Sequence, residues 1–432
     1  MRYFEIDGPV PLSGTVDIPG AKNNVLALLP AAILTDEPVM LQQIPTISDV
    51  DVILSIFDDL HVSWERNDEQ ITIAADKIAE HCTIEKENAS AYRASYYFIG
   101  ALLSRTGRVR IGLPGGDDFG SRPIDQHMKG FEALGAHVRI EGGYYVIEAD
   151  SLTGATIYFD VITSGATMNV LLAAVKAKGT TWLRNAARDP EIVGLANMLN
   201  QMGARITGAG TDTIRIEGVE HLHGCKHGAI PDRLVAGTFL VAGAATGGEV
   251  TVRNVIPAHL DSFLGKLKEI GARIEVNADE ITVRSESVYH ATQIKTGMYP
   301  QFATDLQQPI TALLLRSDGK SLITDTVFPK RFRHISELKN MGAKVLHRNG
   351  TAYIQGGHPL TGGDVTAYDL RGGMLFMIAA CMAEGTSRIF GVEHIERGYA
   401  EIIPTFQQLG ASIRLIEDEE FEGLDDSFIQ TR

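Results

Sequence analysis

Leu134-Gly135-Ala136-His137-Val138 returns four more times in this chain, as Met202-Gly203-Ala204-Arg205-Ile206, Ile270-Gly271-Ala272-Arg273-Ile274, Met341-Gly342-Ala343-Lys344-Val345 and Leu409-Gly410-Ala411-Ser412-Ile413. Each copy sets an apolar residue before Gly-Ala and a β-branched residue one position beyond it. The glycines lie 68, 68, 71 and 68 residues apart, and a worn copy, Leu60-His61-Val62-Ser63-Trp64, lies about one period upstream. The chain therefore reads as six repeats of about seventy residues. Each Gly-Ala follows a helical pattern and precedes an alternating one, as in Ala204-Arg205-Ile206-Thr207 and then Ile214-Arg215-Ile216. Glycine is expected there as the helix stop before a hairpin, so that each unit runs helix, strand, turn, strand, helix.

The sixth copy stops soon after Ile413-Arg414-Leu415, without a second hairpin strand. Tyr3-Phe4-Glu5-Ile6 and Val16-Asp17-Ile18 supply two such strands, and both are expected to complete the last repeat, bringing the termini into one C-terminal domain. The expected division is a first three-repeat domain at 22–230 and a second made of 1–21 plus 231–432.

Composition fits this division, because 432 residues exceed what one core usually supports and 44% hydrophobic content suffices for two. Met1-Arg2-Tyr3-Phe4-Glu5 has no apolar stretch behind a basic cap, so no secretory signal is expected. The apolar run 25–34 is too short to span a bilayer and reads as a buried helix. A cytoplasmic location without membrane attachment follows as the expectation. Cys82, Cys225 and Cys381 have no metal-ligand spacing, and no metal site is expected. A net charge of -15 argues against nucleic-acid binding, which relies on a basic footprint. Any anionic ligand must be held by a local cluster of cations.

The repeat predicts where that cluster lies. The position at the start of the first helix of successive repeats is Lys22, Arg93, Ser164, Arg233, Asp305 and Arg371. Equivalent positions of a repeat share a face, and helix N-termini present free N–H groups and positive partial charge. Two domains facing each other would form an anion-binding cleft. A second set follows the middle strands. It comprises a long Gly/Pro-rich loop at 113–122 with the composition of a lid, Asn185-Ala186-Ala187-Arg188, Val327-Phe328-Pro329-Lys330-Arg331, and His394-Ile395-Glu396-Arg397-Gly398-Tyr399. His127 and His394 carry no ligand spacing and read as structural or capping residues.

Several of these motifs stand together and in order. They are Gly20-Ala21-Lys22-Asn23, Leu113-Pro114-Gly115-Gly116 continuing to Arg122-Pro123-Ile124-Asp125, Ala187-Arg188-Asp189-Pro190-Glu191, Pro231-Asp232-Arg233, Asp369-Leu370-Arg371 and Glu396-Arg397-Gly398-Tyr399. On these the chain resembles the UDP-N-acetylglucosamine 1-carboxyvinyltransferase family of enolpyruvyl transferases along essentially its whole length. The resemblance implies an α/β fold, a two-domain inside-out α/β barrel. It implies transfer of enolpyruvyl from phosphoenolpyruvate to the 3-hydroxyl of UDP-N-acetylglucosamine, with release of phosphate, early in peptidoglycan synthesis. It implies no cofactor and no obligate protein partner. Phosphoenolpyruvate, with a phosphate and a carboxylate, calls for cations at two ends. By resemblance these are Lys22, Arg122 and Arg397, with Arg331 and Arg371 nearby. Asp305 is implied as the base at the sugar hydroxyl. Asn23 and the carbonyl of Val327 are implied to orient the sugar. Arg93, the Thr163-Ser164-Gly165 helix start, and Arg122, Pro123, Ile124, Asp125 and Gln126 are implied to hold the uridine diphosphate.

Two departures stand out. Most members of the family carry cysteine where this chain has Asp117, which can donate a proton only if held protonated. After Pro231-Asp232-Arg233 the chain continues Leu234-Val235-Ala236, where the family commonly has an apolar residue followed by glutamate and threonine. The first departure makes Asp117 the expected proton donor. Its alternative is a lost catalytic group and a binding-only paralogue, whereas the second departure leaves the enol chemistry intact and leaves open a different uridine nucleotide as acceptor. Asp305 and Arg397 are both expected in exposed loops or helix starts, where substitution would cost little stability.

Overall fold

Gly135, Gly203, Gly271, Gly342 and Gly410 all have φ between 84° and 104°, and His61 in the worn copy has φ 59°. This left-handed turn lets a backbone N–H reach back five residues and close the helix. The bonds are Val62 to Phe57, Ala136 to Phe131, Ala204 to Leu199, Ala272 to Leu267, Ala343 to Leu338 and Ala411 to Phe406, each 2.9–3.1 Å. The helices closed this way include Pro190–Gln201 and Asp261–Ile270, and strands such as Arg205–Thr207 and Arg273–Val276 follow them. The repeat is thus the same physical event carried out six times.

This computed structural model describes residues 2–78, 82–91, 93–113 and 123–417, with the backbone alone at Ala91, Arg93 and Ala94. Among these residues the strands form six four-stranded sheets. In the third, Thr156–Tyr158 runs parallel to Thr180–Arg184, which pairs antiparallel with Thr213–Glu217, and that strand pairs with Arg205–Thr207. The parallel edge strand, three residues long, was absent from the unit expected from sequence. The first helices of the repeats are apolar nearly all round and lie inside. Lys22–Ala31, Tyr97–Thr106 and Ser164–Ala174 pack on one another, as do Arg233–Thr246, Gln307–Leu314 and Leu370–Met382. The run 25–34 falls in the first of these helices and the 3-10 turn after it. Close approach fixes the glycine at position 100, where a Cβ would lie 2.1 Å from the carbonyl oxygen of Asn169. The Asn169 side chain accepts from Gly100 N and donates to Tyr96 O, both at 2.8 Å.

Helices inside and sheets outside make this a two-domain, inside-out α/β barrel with two hydrophobic cores. One core draws on residues 25–229, the other on residues 4–18 and 234–413. The N-terminus differs from expectation at one strand. Arg2–Gly8 does complete the last repeat, lying between Gly385–Phe390 and Ser412–Glu417. Gly14–Asp17 instead pairs parallel with Glu249–Arg253, setting Val16 opposite Val252 and into the core with Val250 and Ile281. Lys226–Gly228 makes the reciprocal exchange, pairing with Val39–Gln42. The chain crosses between the cores twice, side by side, at a bridge between Gly20 and Pro231. A Cβ on Gly20 would fall 1.9 Å from Gln43 O. Asp232 binds both crossings, accepting Lys22 N at 3.0 Å on Oδ2 and Leu234 N and Val235 N at 2.8 and 3.0 Å on Oδ1.

Candidate active site

Because equivalent helix starts share a face, five of the six expected positions, Lys22, Ser164, Arg233, Asp305 and Arg371, line one cavity of about 470 Å³ between the cores. Asn23, Pro123, Asp125, Gln126, Thr163, Gly165, Val327, Arg331 and Arg397 line it too. Ile124 does not; it is buried just before helix Asp125–Ala133. Arg93 opens the 3-10 turn Arg93–Tyr96, and nothing is described of its side chain. Asp117, Arg122 and the loop residues 114–122 lie outside the described residues.

Two carboxylates divide the cations of the cleft. Asp49, in the first turn of helix Ser48–Asp59, accepts Arg397 Nε at 3.0 Å and pairs with the Lys22 ammonium. Asp305, in the 3-10 turn Thr304–Leu306, accepts Arg331 Nη1 at 2.6 Å and Arg371 Nε at 3.3 Å. Arg371 Nη1 donates to the Tyr399 hydroxyl at 2.8 Å, and that oxygen lies 2.9 Å from Thr238 Oγ1. Asp369 caps helix Leu370–Met382 through Arg371 N and Gly372 N, and it accepts Gln308 Nε2 at 2.9 Å. The expectation that Asp305 is exposed is corrected: its side chain is 26% accessible and it is tied to two guanidiniums that are 3% accessible. Arg397 is likewise half-buried, held by Asp49.

These contacts set the charges. Burial would raise the Asp305 pKa, but Arg331 and Arg371 overcome it and hold the carboxyl well below the usual range. For Lys22, burial is the largest influence and pushes the ammonium down, opposed by Asp49 and aided by Arg397 and Arg371. Arg233, which the helix-start pattern places among the anion-binding cations, is already spoken for. Its guanidinium lies against Glu191 at 3.2 Å and Asp189 at 3.5 Å, and 5.2 Å from the centre of the Tyr299 ring. Burial beside Glu191 raises the Asp189 pKa.

Other contacts fix the rim. Ser164 Oγ donates to Asp189 at 2.9 Å, and the Thr163 side chain caps the helix Ser164–Ala174. Gln126 Oε1 accepts Asp160 N at 2.9 Å. Asp325 accepts Val327 N and Phe328 N at 2.9 and 2.8 Å, turning the chain there. His127, which also lines the cavity, packs edge-on against Tyr96 and meets the Asn169 amide at 3.0 Å. Asp49 is the functional candidate that sequence reasoning missed. An acidic residue in a helix's first turn carries no signal beyond the helix itself, since its partners are distant in the chain.

The comparisons agree with this fold and cleft. Residues 6–406 match the family described as EPSP synthase (3-phosphoshikimate 1-carboxyvinyltransferase). The chain belongs to this family of enolpyruvyl (1-carboxyvinyl) transferases, and is an enzyme of that class. Its similar relatives include UDP-N-acetylglucosamine 1-carboxyvinyltransferase 2 of Bacillus cereus, 48% identical with 96% of both chains covered. The protein of the same name from Geobacillus kaustophilus is 47% identical over 98% of this chain and 99% of its own, and that from Listeria innocua is 50% identical over 94% and 96%. Among solved structures, the enolpyruvyl transferase NikO from Streptomyces tendae superposes with a TM-score of 0.87 at 24% identity, covering 96% of this chain and 98% of its own. EPSP synthase from Acinetobacter baumannii gives 0.72 at 19%, covering 96% and 100%; at such identities both matches speak for the fold. Among the described residues no helix is long and apolar enough to cross a membrane.

Proposed function

We propose that this enzyme transfers the enolpyruvyl group of phosphoenolpyruvate to the 3-hydroxyl of UDP-N-acetylglucosamine and releases phosphate, the first committed step of peptidoglycan synthesis. The carrying observation is the cleft where Lys22 and Arg397 stand on one carboxylate, and Arg331 and Arg371 on another. The relatives at 47–50% identity bear the name of this activity, which supports UDP-N-acetylglucosamine as the acceptor. Cytoplasmic action on two soluble substrates, with a role in cell-wall assembly and cell shape, belongs to the same reading. So does the division of the chain at 22–230 and at 1–21 plus 231–432, two bodies that close on the substrates.

In this reading Lys22, Arg122 and Arg397 hold the phosphate and carboxylate, and Arg331 and Arg371 set the field around Asp305. Asp117 gives a proton to the methylene carbon of the enol. As C2 becomes electron-deficient, the sugar O3 adds to it and its hydroxyl proton passes to Asp305. The methyl carbon then returns a proton to Asp117, and the C2–O bond to phosphate breaks with its electron pair going to phosphate. The proton taken from the sugar hydroxyl leaves with the phosphate, and the enol ether is left on the sugar. Asp305 is ionised throughout the neutral range, the form that accepts the proton. Asn23 and the Val327 carbonyl orient the sugar. Thr163, Ser164, Gly165, Arg93, Pro123, Ile124, Asp125 and Gln126 take the uridine diphosphate.

Phosphate release from phosphoenolpyruvate, measured with a panel of UDP-sugars and with shikimate 3-phosphate, tests the reading. Turnover with UDP-N-acetylglucosamine is expected; binding without phosphate release would overturn it, and preference for another acceptor would replace the substrate. Asp117 gives a second test. The epoxide fosfomycin alkylates the cysteine that the family carries here, and a carboxylic acid is a far poorer nucleophile. The wild type is expected to resist covalent inactivation and to lose activity as pH rises, because only protonated Asp117 donates. Asp117→Cys is expected to stay active and become sensitive, and Asp117→Asn to be nearly inactive. A fosfomycin adduct on Asp117 would refute the assignment.

A further inference from the structure

Asp49 is 3% accessible and lies on a helix that the reaction does not otherwise use. Its two partners come from different cores: Lys22 opens a helix of the first, and Arg397 follows helix Val392–Glu396 in the second. A carboxylate so buried is costly unless its charge is answered, and here it is answered by Lys22 from its own core and by Arg397 from across the boundary. Asp49 takes the Nε edge of Arg397 at 3.0 Å. Since guanidinium is planar, fixing that edge fixes the plane in which its remaining N–H groups meet an anion. On the other side Asp49 faces an ammonium that burial, Arg397 and Arg371 all push toward neutrality. Without the carboxylate, Lys22 and Arg397 would repel each other in a poorly solvated site, and the ammonium would be the group that yields its charge.

We propose that Asp49 is the positioning residue of the phosphoenolpyruvate site, joining Lys22 of one domain to Arg397 of the other so that two cations stand together, charged and correctly turned, before the anion arrives. The proposal rests on the reading that Lys22 and Arg397 bind phosphoenolpyruvate. The bland alternative is an acidic first-turn residue that merely complements the helix dipole. That role would alter the melting temperature without distinguishing one substrate from the other. The charged groups facing Lys22 are Asp49, Arg397, Arg371, Asp305 and, at its backbone N–H, Asp232.

The test is steady-state kinetics of the full chain, with KM for each substrate and a pH profile for wild type, Asp49→Asn, Asp49→Glu and Lys22→Ala. Asp49→Asn is expected to raise KM for phosphoenolpyruvate roughly 10- to 100-fold, the size of one charge-assisted hydrogen bond. KM for the nucleotide sugar should stay within about twofold, since its binding residues are not touched by Asp49. The alkaline limb of kcat/KM for phosphoenolpyruvate should move to lower pH, as Lys22 loses its proton more easily. Asp49→Glu, which keeps the charge, should restore that limb toward wild type even if its longer side chain leaves KM raised. Equal effects on both substrates, or an unmoved alkaline limb in Asp49→Asn, would overturn the proposal. Should Asp49→Asn fold poorly, identical limbs in Asp49→Glu and wild type support the proposal, and a shifted limb there overturns it. If Lys22→Ala left KM for phosphoenolpyruvate unchanged, the binding reading itself would fall. A raised KM in Lys22→Ala beside an unaltered Asp49→Asn would sink Asp49 alone.

Discussion

Asp49 and Asp305 each stand between two cations in the same cleft, yet one is 3% accessible and the other 26%. Asp49 sits behind its partners, fixed in the first turn of a 12-residue helix. Asp305 sits beside its partners on a three-residue 3-10 turn and faces the cavity. A carboxylate behind two cations organises them, whereas one that shares the cavity with them can meet a substrate. The difference teaches that proximity to the chemistry is decided here by which side of the cation pair the carboxylate occupies. Counting ion pairs does not reveal it.

The largest expected effect belongs to Asp305, the member that faces the cavity. Asp305→Ala should lower kcat by roughly 10²- to 10⁴-fold, the usual worth of a general base, with a smaller effect on KM for the nucleotide sugar. It should also lower the melting temperature, because Arg331 and Arg371 are buried and lose their shared counter-charge. The depressed Asp305 pKa contributes stability that is present above the unfolded carboxyl value and lost as pH falls through the folded one. If Asp305→Ala and Asp49→Asn gave the same division between kcat and KM, the contrast between them would collapse.

A smaller effect separates the surroundings of the two carboxylates. On the Asp305 side, His334 lies 3.2 Å from Gln308 Nε2, which also binds Asp369, and burial pushes the histidine down from 6.5 to about 3. Between those values the unfolded chain binds a proton that the folded chain does not. Stability should therefore fall as pH falls, by up to about 1.4 kcal/mol per pH unit. Urea unfolding of His334→Gln at pH 7 and pH 5 should show a shallower loss than wild type; parallel slopes would remove His334 from the account. The smallest effect is a control remote from both carboxylates. Gly271→Ala, at φ 104°, should cost about 1 kcal/mol with kcat and both KM values unchanged. Altered kinetics there would mean that the repeat turns communicate with the cleft.

What the sequence disclosed follows from how local each cause is. A φ near 100° all but requires glycine, so the five turns could be read directly, and the phase they set placed Lys22, Ser164, Asp305 and Arg371 on one face. The exchanged strands could not be read. Lys226–Gly228 has no apolar alternation, and its partner Val39–Gln42 is fixed by a chain crossing that no short-range pattern records. Arg233 fitted the phase but is neutralised by Asp189 and Glu191, a contact made only when two helix starts meet. Asp49 was missed for the same reason, since Arg397 lies 348 residues away. The resemblance supplied the roles of Asp117 and Arg122, and these stay tied to it because both fall outside the described residues.

The exchange of Gly14–Asp17 and Lys226–Gly228 imposes an order on the birth of the protein. On the ribosome, Val39–Gln42 emerges long before the strand that will cover its edge. At 5–20 residues per second that edge is unpartnered for roughly 10 to 40 s. Gly14–Asp17 waits longer still, for Glu249–Arg253. Nascent chains halted shortly before residue 226 are therefore expected to be clients of cellular chaperones, carrying the open edge of Val39–Gln42 and two strands still without partners, Arg2–Gly8 and Gly14–Asp17.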